Sequence, residues 1–204
     1  MFSAEERRQF EFDGYLVFDT GLPEDTLHAA LVETGDLFLP EAEAPDTSGV
    51  TVVYRDSRRL QDAWKVSAAV KRIATDPGIL SALEGLYERQ ALPFQTLHFK
   101  VGSEQQAHSD TIHFNSKPSG YMCGVWVALE DIDMDNGPVV YYPGSHRLPE
   151  LTMRDVLGGA GRGPSFVDFW LARLTRRRLA RPVPDPNDYL RYEEHVADLL
   201  RSSG

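Results

Sequence analysis

Apolar positions recur at two spacings along this chain, and the change from one to the other marks off three stretches. Over residues 1–90 the spacing is mostly helical. Ser3 and Glu6 ahead of Phe10 have the pattern of a capping box, and the helix they predict is broken by Asp13-Gly14. Residues 15–18, Tyr-Leu-Val-Phe, then read as a short strand. Pro23 opens a second helix running to about Phe38. Residues 40–49, PEAEAPDTSG, form a polar loop suited to a lid or a connection. Trp64, Val66, Ala69, Val70 and Ile73 share helical spacing over residues 61–75, and a further short helix is expected over 79–87, after Pro77-Gly78.

The second stretch, residues 91–150, reads as β. Residues 94–101, FQTLHFKV, alternate like a strand, and 121–129, YMCGVWVAL, are a continuous apolar run of the kind found in buried strands. Asp135-Asn136-Gly137-Pro138 is a strong turn signal, followed by a strand over 139–142 that Pro143-Gly144 ends. Short strands joined by such turns predict a sandwich or barrel. The third stretch, 151–204, returns to helix. Phe166, Phe169, Trp170 and Leu174 mark one helix, and Tyr189, Tyr192, Val196 and Leu199 mark another. There is no internal repeat.

Composition narrows the class. A chain of 204 residues, 42% hydrophobic and 25% charged, is expected to fold as one soluble domain spanning 1–204. No apolar run approaches the ~20 residues of a membrane span. The charged N-terminus lacks a signal-peptide core, so no membrane association and a cytoplasmic location are expected. Cys123 is the single cysteine, which precludes an internal disulfide and suggests a small buried hydrophobe. A formal net charge of −10 argues against nucleic acid as a partner. The local exception is Arg173, Arg176, Arg177, Arg178 and Arg181, read either as a solvated helix end or as a grip on an anionic substrate.

The candidate chemistry sits in AHSDTIHF, residues 107–114. In an extended strand His108 and Asp110 point to one face, where imidazole and carboxylate can reach a common ion. Two histidines and a carboxylate on one side of a metal are the arrangement of non-haem Fe(II) oxygenases. Alone, H-x-D is a weak signal that turns up by chance in many proteins, and a hydrogen-bonded polar loop is then the better account. Its place at the rim of the β region, where barrel mouths hold ligands, favours the metal.

HSDTIHF, followed by GVWVALEDIDMDNGPVVYYPGSHRLPE, resembles the phytanoyl-CoA dioxygenase family of Fe(II)- and 2-oxoglutarate-dependent oxygenases. The likeness is strong over about 94–150 and looser over the helical front. It implies an α+β fold, a double-stranded β-helix (jelly roll) with flanking helices. It implies His108 and Asp110 as the first two iron ligands. His98 falls where the family places a polar co-substrate contact, and Trp126 matches an aromatic of the same pocket. Fe(II) and 2-oxoglutarate are the implied cofactor and co-substrate, with a small-molecule substrate hydroxylated at an unactivated C–H bond.

The family closes its site with a distal histidine and an arginine that pairs with the far carboxylate of 2-oxoglutarate. No segment here matches them. His113 has the wrong parity unless the chain turns at Thr111-Ile112, His146 lies in a loop signature expected to bond backbone, and His195 lies on an amphipathic helix. The expectation is a domain whose last strands are missing, with sheet edges that would favour self-association. Two other functions stay open: a non-catalytic jelly-roll binding module, and a cupin-like metal enzyme that does not use 2-oxoglutarate.

Overall fold

A computed structural model describes residues 2–38, 59–100, 105–112, 116–152 and 186–203. The lid-like loop 40–49, the arginine cluster, the helix expected around Phe166 and His113 all lie outside the described residues. The described parts fall into two compact units, one drawn from Met1–Glu104 and Cys123–His146, the other from Gln105–Met122 and Arg147–Gly204.

Local signals set the helices of the first unit. Helix α1, Ala4–Asp13, begins at a full capping box: the Ser3 hydroxyl accepts from the Glu6 N–H at 3.2 Å, and the Ser3 N–H donates to Glu6 Oε2 at 2.7 Å. It ends at Gly14, whose φ of 84° places its N–H on the Phe10 carbonyl. Helix α2, Glu24–Gly35, follows Pro23 and tightens into a 3₁₀ turn at Asp36–Phe38. Strand β1, Arg59–Gln61, leads through a 3₁₀ turn at Ala63–Lys65 into α3, Ala68–Ala74. Helix α4, Pro77–Tyr87, has Pro77 in its first turn and Asp76 as cap, with Asp76 Oδ1 accepting from the Ile79 N–H at 2.9 Å.

Strand β2, Leu97–Phe99, pairs antiparallel with β1, with Leu60 opposite His98. The core lies where α2 and α3 meet this ladder. Ala30, Leu37, Leu60, Ala63, Ala69, Val70 and Ile73 are buried together, and Val127 and Leu129 pack against them. Along α2 the buried positions are Thr26, Ala30 and Thr34, a stripe of small residues at four-residue spacing that lets the helix approach closely.

Three expected strands are corrected. Residues 15–18, 121–129 and 139–142 form no ladder, and the one sheet among the described residues has two strands. The end of the apolar run alternates without pairing: Val127 and Leu129 turn inward while Trp126, Ala128 and Glu130 turn outward. A strand is defined by its neighbour's hydrogen bonds, and apolar character alone does not provide them. The expectation that 121–129 is buried fails for the same reason, since Tyr121, Val125 and Trp126 are exposed. Cys123 is likewise an exposed residue, with its thiol against the Tyr87 hydroxyl and its pKa raised chiefly by partial burial. The expected helix over 61–75 is shorter than its apolar spacing, because residue 61 belongs to β1 and Asp62, at φ 60°, turns the chain before Ala63.

The PGSHR loop caps α1. Tyr141 donates its hydroxyl hydrogen to the Gly14 carbonyl at 3.1 Å, the Gly144 N–H donates to the Asp13 carbonyl at 2.7 Å, and His146 Nε2 lies 3.1 Å from the Glu11 carbonyl. Last-turn carbonyls that the helix leaves without partners are satisfied in this way. In the second unit, α5, Pro186–Ser203, is the long amphipathic helix expected from Tyr189, Tyr192, Val196 and Leu199.

Candidate metal centre

His108 and Asp110 come together in the second unit, although not on a strand. Asp110 opens a 3₁₀ turn, Asp110–Ile112, closed by the Ile112 N–H on the Ser109 carbonyl at 3.2 Å. The extended geometry expected here is therefore a bend. It forms because Ser109 begins it: the Ser109 hydroxyl pairs with that of Thr111 at 2.8 Å, a local alternative to a ladder that serine and threonine commonly offer.

The bend sets the imidazole. His108 Nδ1 lies 2.7 Å from the Gln106 carbonyl, a bond that requires the hydrogen on Nδ1. Nε2 is then the electron-pair donor of the neutral ring, and it faces Asp110 Oδ1 at 3.6 Å. Metal-bound histidines commonly have their second nitrogen fixed in this way. A separation of 3.6 Å is long for a direct hydrogen bond. It is close to the roughly 3–3.5 Å expected between two donors each about 2.0–2.2 Å from one ion. In the metal-free state Asp110 raises the pKa of His108, with the Gln106 carbonyl and Glu193 adding, against a burial effect that lowers it.

Behind the bend stands Tyr192, fully buried on α5. Its hydroxyl oxygen accepts from the Ser109 N–H at 2.9 Å, and the hydroxyl hydrogen points to the Ser109 carbonyl at 3.4 Å. Burial raises its pKa, and Asp110 and Glu150 push the same way.

No third histidine, cysteine, aspartate or glutamate joins this pair in a metal-sized cluster among the described residues. His146 belongs to the first unit and bonds Glu11, as described. His195 is exposed on α5 with Nδ1 donating to its own helix at the Arg191 carbonyl, 2.8 Å away.

His98 and Trp126 belong to the first unit. The Thr34 hydroxyl donates to the Ala30 carbonyl at 2.6 Å, which leaves its oxygen to accept from His98 Nε2–H at 3.2 Å. The imidazole ring packs on Phe38, with centroids 5.7 Å apart, and Lys100 Nζ sits 5.8 Å over the same Phe38 ring. Burial lowers the pKa of His98, so the ring is neutral at pH 7. Trp126 is 51% exposed and turned away from the core. Motif spacing marks His98 and His108 but not the residues that hold their surroundings, Thr34 against His98 in the first unit and Tyr192 against Ser109 in the second. A hydroxyl on the buried stripe Thr26-Ala30-Thr34 was a usable signal for the first, whereas nothing in an apolar helix face marks what a tyrosine hydroxyl will meet.

The family model for phytanoyl-CoA dioxygenase matches residues 10–170, well over half of the chain. The chain belongs to the phytanoyl-CoA dioxygenase family. It is 24% identical over 165 residues to a probable phytanoyl-CoA dioxygenase of Caenorhabditis elegans, covering 71% of this chain and 53% of that protein. Against the peroxisomal phytanoyl-CoA dioxygenase of Rattus norvegicus it is 26% identical over 167 residues, 72% of this chain and 48% of the relative. A phytanoyl-CoA dioxygenase domain-containing protein 1 of Bos taurus is 40% identical over 91 residues, 45% of this chain and 30% of that one. The chain thus spans about half the length, or less, of these curated relatives. No solved structure matches it.

As a phytanoyl-CoA dioxygenase family member, the chain belongs to a group of Fe(II)- and 2-oxoglutarate-type oxygenases with a jelly-roll fold. The donor set fits such a metal as far as it goes. A neutral imidazole with its tautomer fixed stands beside a carboxylate, and both donor types suit ferrous iron. Among the described residues, no helix is long and apolar enough to cross a membrane.

Proposed function

We propose that the chain carries the metal-binding corner of an Fe(II)- and 2-oxoglutarate-dependent dioxygenase that hydroxylates a small-molecule or carrier-linked substrate. One observation supports this above the others: the Gln106 carbonyl holds His108 Nδ1–H so that Nε2 is presented beside Asp110 Oδ1, 3.6 Å away. His108 and Asp110 hold the metal, and His98 and Trp126 contact the co-substrate. The donor that completes the shell, and the cation that pairs with the far carboxylate of 2-oxoglutarate, come from outside the described residues.

When bound, iron and 2-oxoglutarate supply the oxidising chemistry, in which dioxygen and 2-oxoglutarate become succinate and carbon dioxide and one oxygen atom enters a substrate C–H bond. The protein's own residues prepare the corner. Gln106 keeps the His108 tautomer able to donate an electron pair, and Asp110 brings the negative charge that a divalent cation requires. Thr34 orients His98, whose burial keeps it uncharged and hence a hydrogen-bonding contact rather than an ion-pairing one.

The arginines at 173–181 are compatible with an anionic substrate as well as with a solvated helix end, and a net charge of −10 argues against nucleic acid. A lone cysteine suits a reducing compartment, and the reading keeps the cytoplasm. The test is succinate formation by anaerobically purified protein given Fe(II), oxygen and 2-oxoglutarate. Turnover that disappears in Asp110→Ala is the expected result. Tight Fe(II) binding without succinate would replace this reading with a metal enzyme that does not use 2-oxoglutarate. No metal binding at all would replace it with a binding module.

A further inference from the structure

We infer that Tyr192 is a positioning residue for the metal corner, its hydroxyl clamping the backbone of Ser109 between the two donor residues. The inference rests on the proposal that His108 and Asp110 hold a metal. The clamp has two parts on one residue: the Ser109 N–H donates to the hydroxyl at 2.9 Å, and the hydroxyl donates to the Ser109 carbonyl at 3.4 Å. Ser109 is the pivot of the pair, because its φ and ψ set how the side chains on either side diverge. Local bonds hold each flank of the pivot, His108 to Gln106 and the Ser109 hydroxyl to Thr111. Among the described residues, Tyr192 alone bonds it from a distant element, 83 residues further along the chain.

The hydroxyl is the informative part. Tyr192 has no exposed surface, and a phenylalanine ring would fill the same space against the bend. Among the described residues, both hydrogen bonds of its hydroxyl go to Ser109, so the oxygen serves the bend. Residues that orient metal ligands typically change affinity about 10–100-fold when lost. Tyr192→Phe keeps the packing and removes the clamp.

The experiment measures Mn(II) binding to the full chain by electron paramagnetic resonance, alongside hydrogen exchange of the Ser109 amide. Expected for Tyr192→Phe are Mn(II) affinity lower by roughly 10-fold or more and faster Ser109 exchange, with little change in melting temperature. Leu190→Gly, at an exposed position on the same helix, loosens α5 without touching the hydroxyl and should leave Mn(II) affinity near that of the parent. Tyr192→Phe binding Mn(II) as tightly as the parent would overturn the inference and leave the metal site standing. So would equal losses in Tyr192→Phe and Leu190→Gly, since helix integrity would then explain the effect. Parent and His108→Ala protein binding Mn(II) equally would overturn the metal site and the inference with it. Should Tyr192→Phe not fold, the parent decides: a Ser109 amide exchanging at the rate of an unstructured chain means that the clamp does not exist.

Discussion

His108 has two partners that require opposite things of it. The Asp110 carboxylate favours a charged imidazole, whereas a metal requires a neutral one. In the metal-free protein the folded-state pKa of His108 is raised above its unfolded value of about 6.5. Its pairing with Asp110 therefore adds stability that is fully present below about pH 6.5 and is lost as pH rises through the raised value. Asp110 is 58% exposed at the side chain, so screening holds the effect to about 1 kcal/mol or less. Thermal melts of chelator-treated protein should show this loss on going from pH 6 toward pH 8, and Asp110→Asn should flatten it. Mn(II) affinity should move the other way and strengthen as pH rises. The second residue-scale prediction concerns Thr34, fully buried and bonded to His98. Thr34→Val keeps the shape but leaves a half-buried imidazole N–H without its acceptor, at a cost of about 1–2 kcal/mol in denaturant unfolding. Both histidines were legible by position in the sequence. Their behaviour depends on Gln106, Tyr192 and Thr34, and no motif names these, because hydrogen bonds between distant elements leave no trace in spacing.

At the scale of elements, the helices were readable, whereas of the expected strands only 94–101 forms a ladder among the described residues, as β2, Leu97–Phe99. Ser3 and Glu6, Pro23, and Asp76 with Pro77 are signals complete within one turn of chain, and α1, α2 and α4 start where those residues stand. A strand is completed by a partner elsewhere, so the composition of an apolar run such as 121–129 announces neither a ladder nor which of its side chains turn inward. Two predictions test how the elements are joined. Gly14 closes α1 at φ 84°, and a Cβ there would lie 2.2 Å from His146 Nδ1 and 2.7 Å from the Tyr141 hydroxyl. Gly14→Ala should destabilise by about 2 kcal/mol or more, the left-handed conformation alone accounting for about 1–2. Glu33, on α2, accepts from the Ser67 hydroxyl at 2.7 Å and from the Ala69 N–H at 3.1 Å, while Ser67 caps α3 through the Val70 N–H. These bonds, the Ser67 hydroxyl's above all, lower the pKa of Glu33. The stability they confer is present above the ordinary carboxylate range and lost as pH falls through the lowered value. Glu33→Ala should remove about 1 kcal/mol at pH 7 and less at pH 3.

For the whole molecule, the balance between charge and exposed apolar surface decides how it behaves in solution. The family match covers residues 10–170, yet the described β region holds a single two-stranded ladder. Large apolar side chains consequently remain at the surface of the first unit, among them Trp126, Met134, Val139, Val140 and Tyr142. Exposed apolar surface of this kind favours association, and like charge opposes it. At pH 7 the formal charge of −10 opposes association. With a sequence pI of about 5.0, that repulsion fades as pH falls. Salt should have a similar effect at constant pH, because the Debye length shrinks from about 10 Å at 0.1 M to about 3 Å at 1 M. Sedimentation velocity should therefore show self-association rising from pH 7.5 toward pH 5.5, and rising again with salt at pH 7.5. Trp126→Ser combined with Val140→Ser should reduce both trends if the apolar face drives them. A chain that stays monomeric under both conditions would mean that this surface is too divided to pair, and the unpaired β region would then carry no tendency to associate.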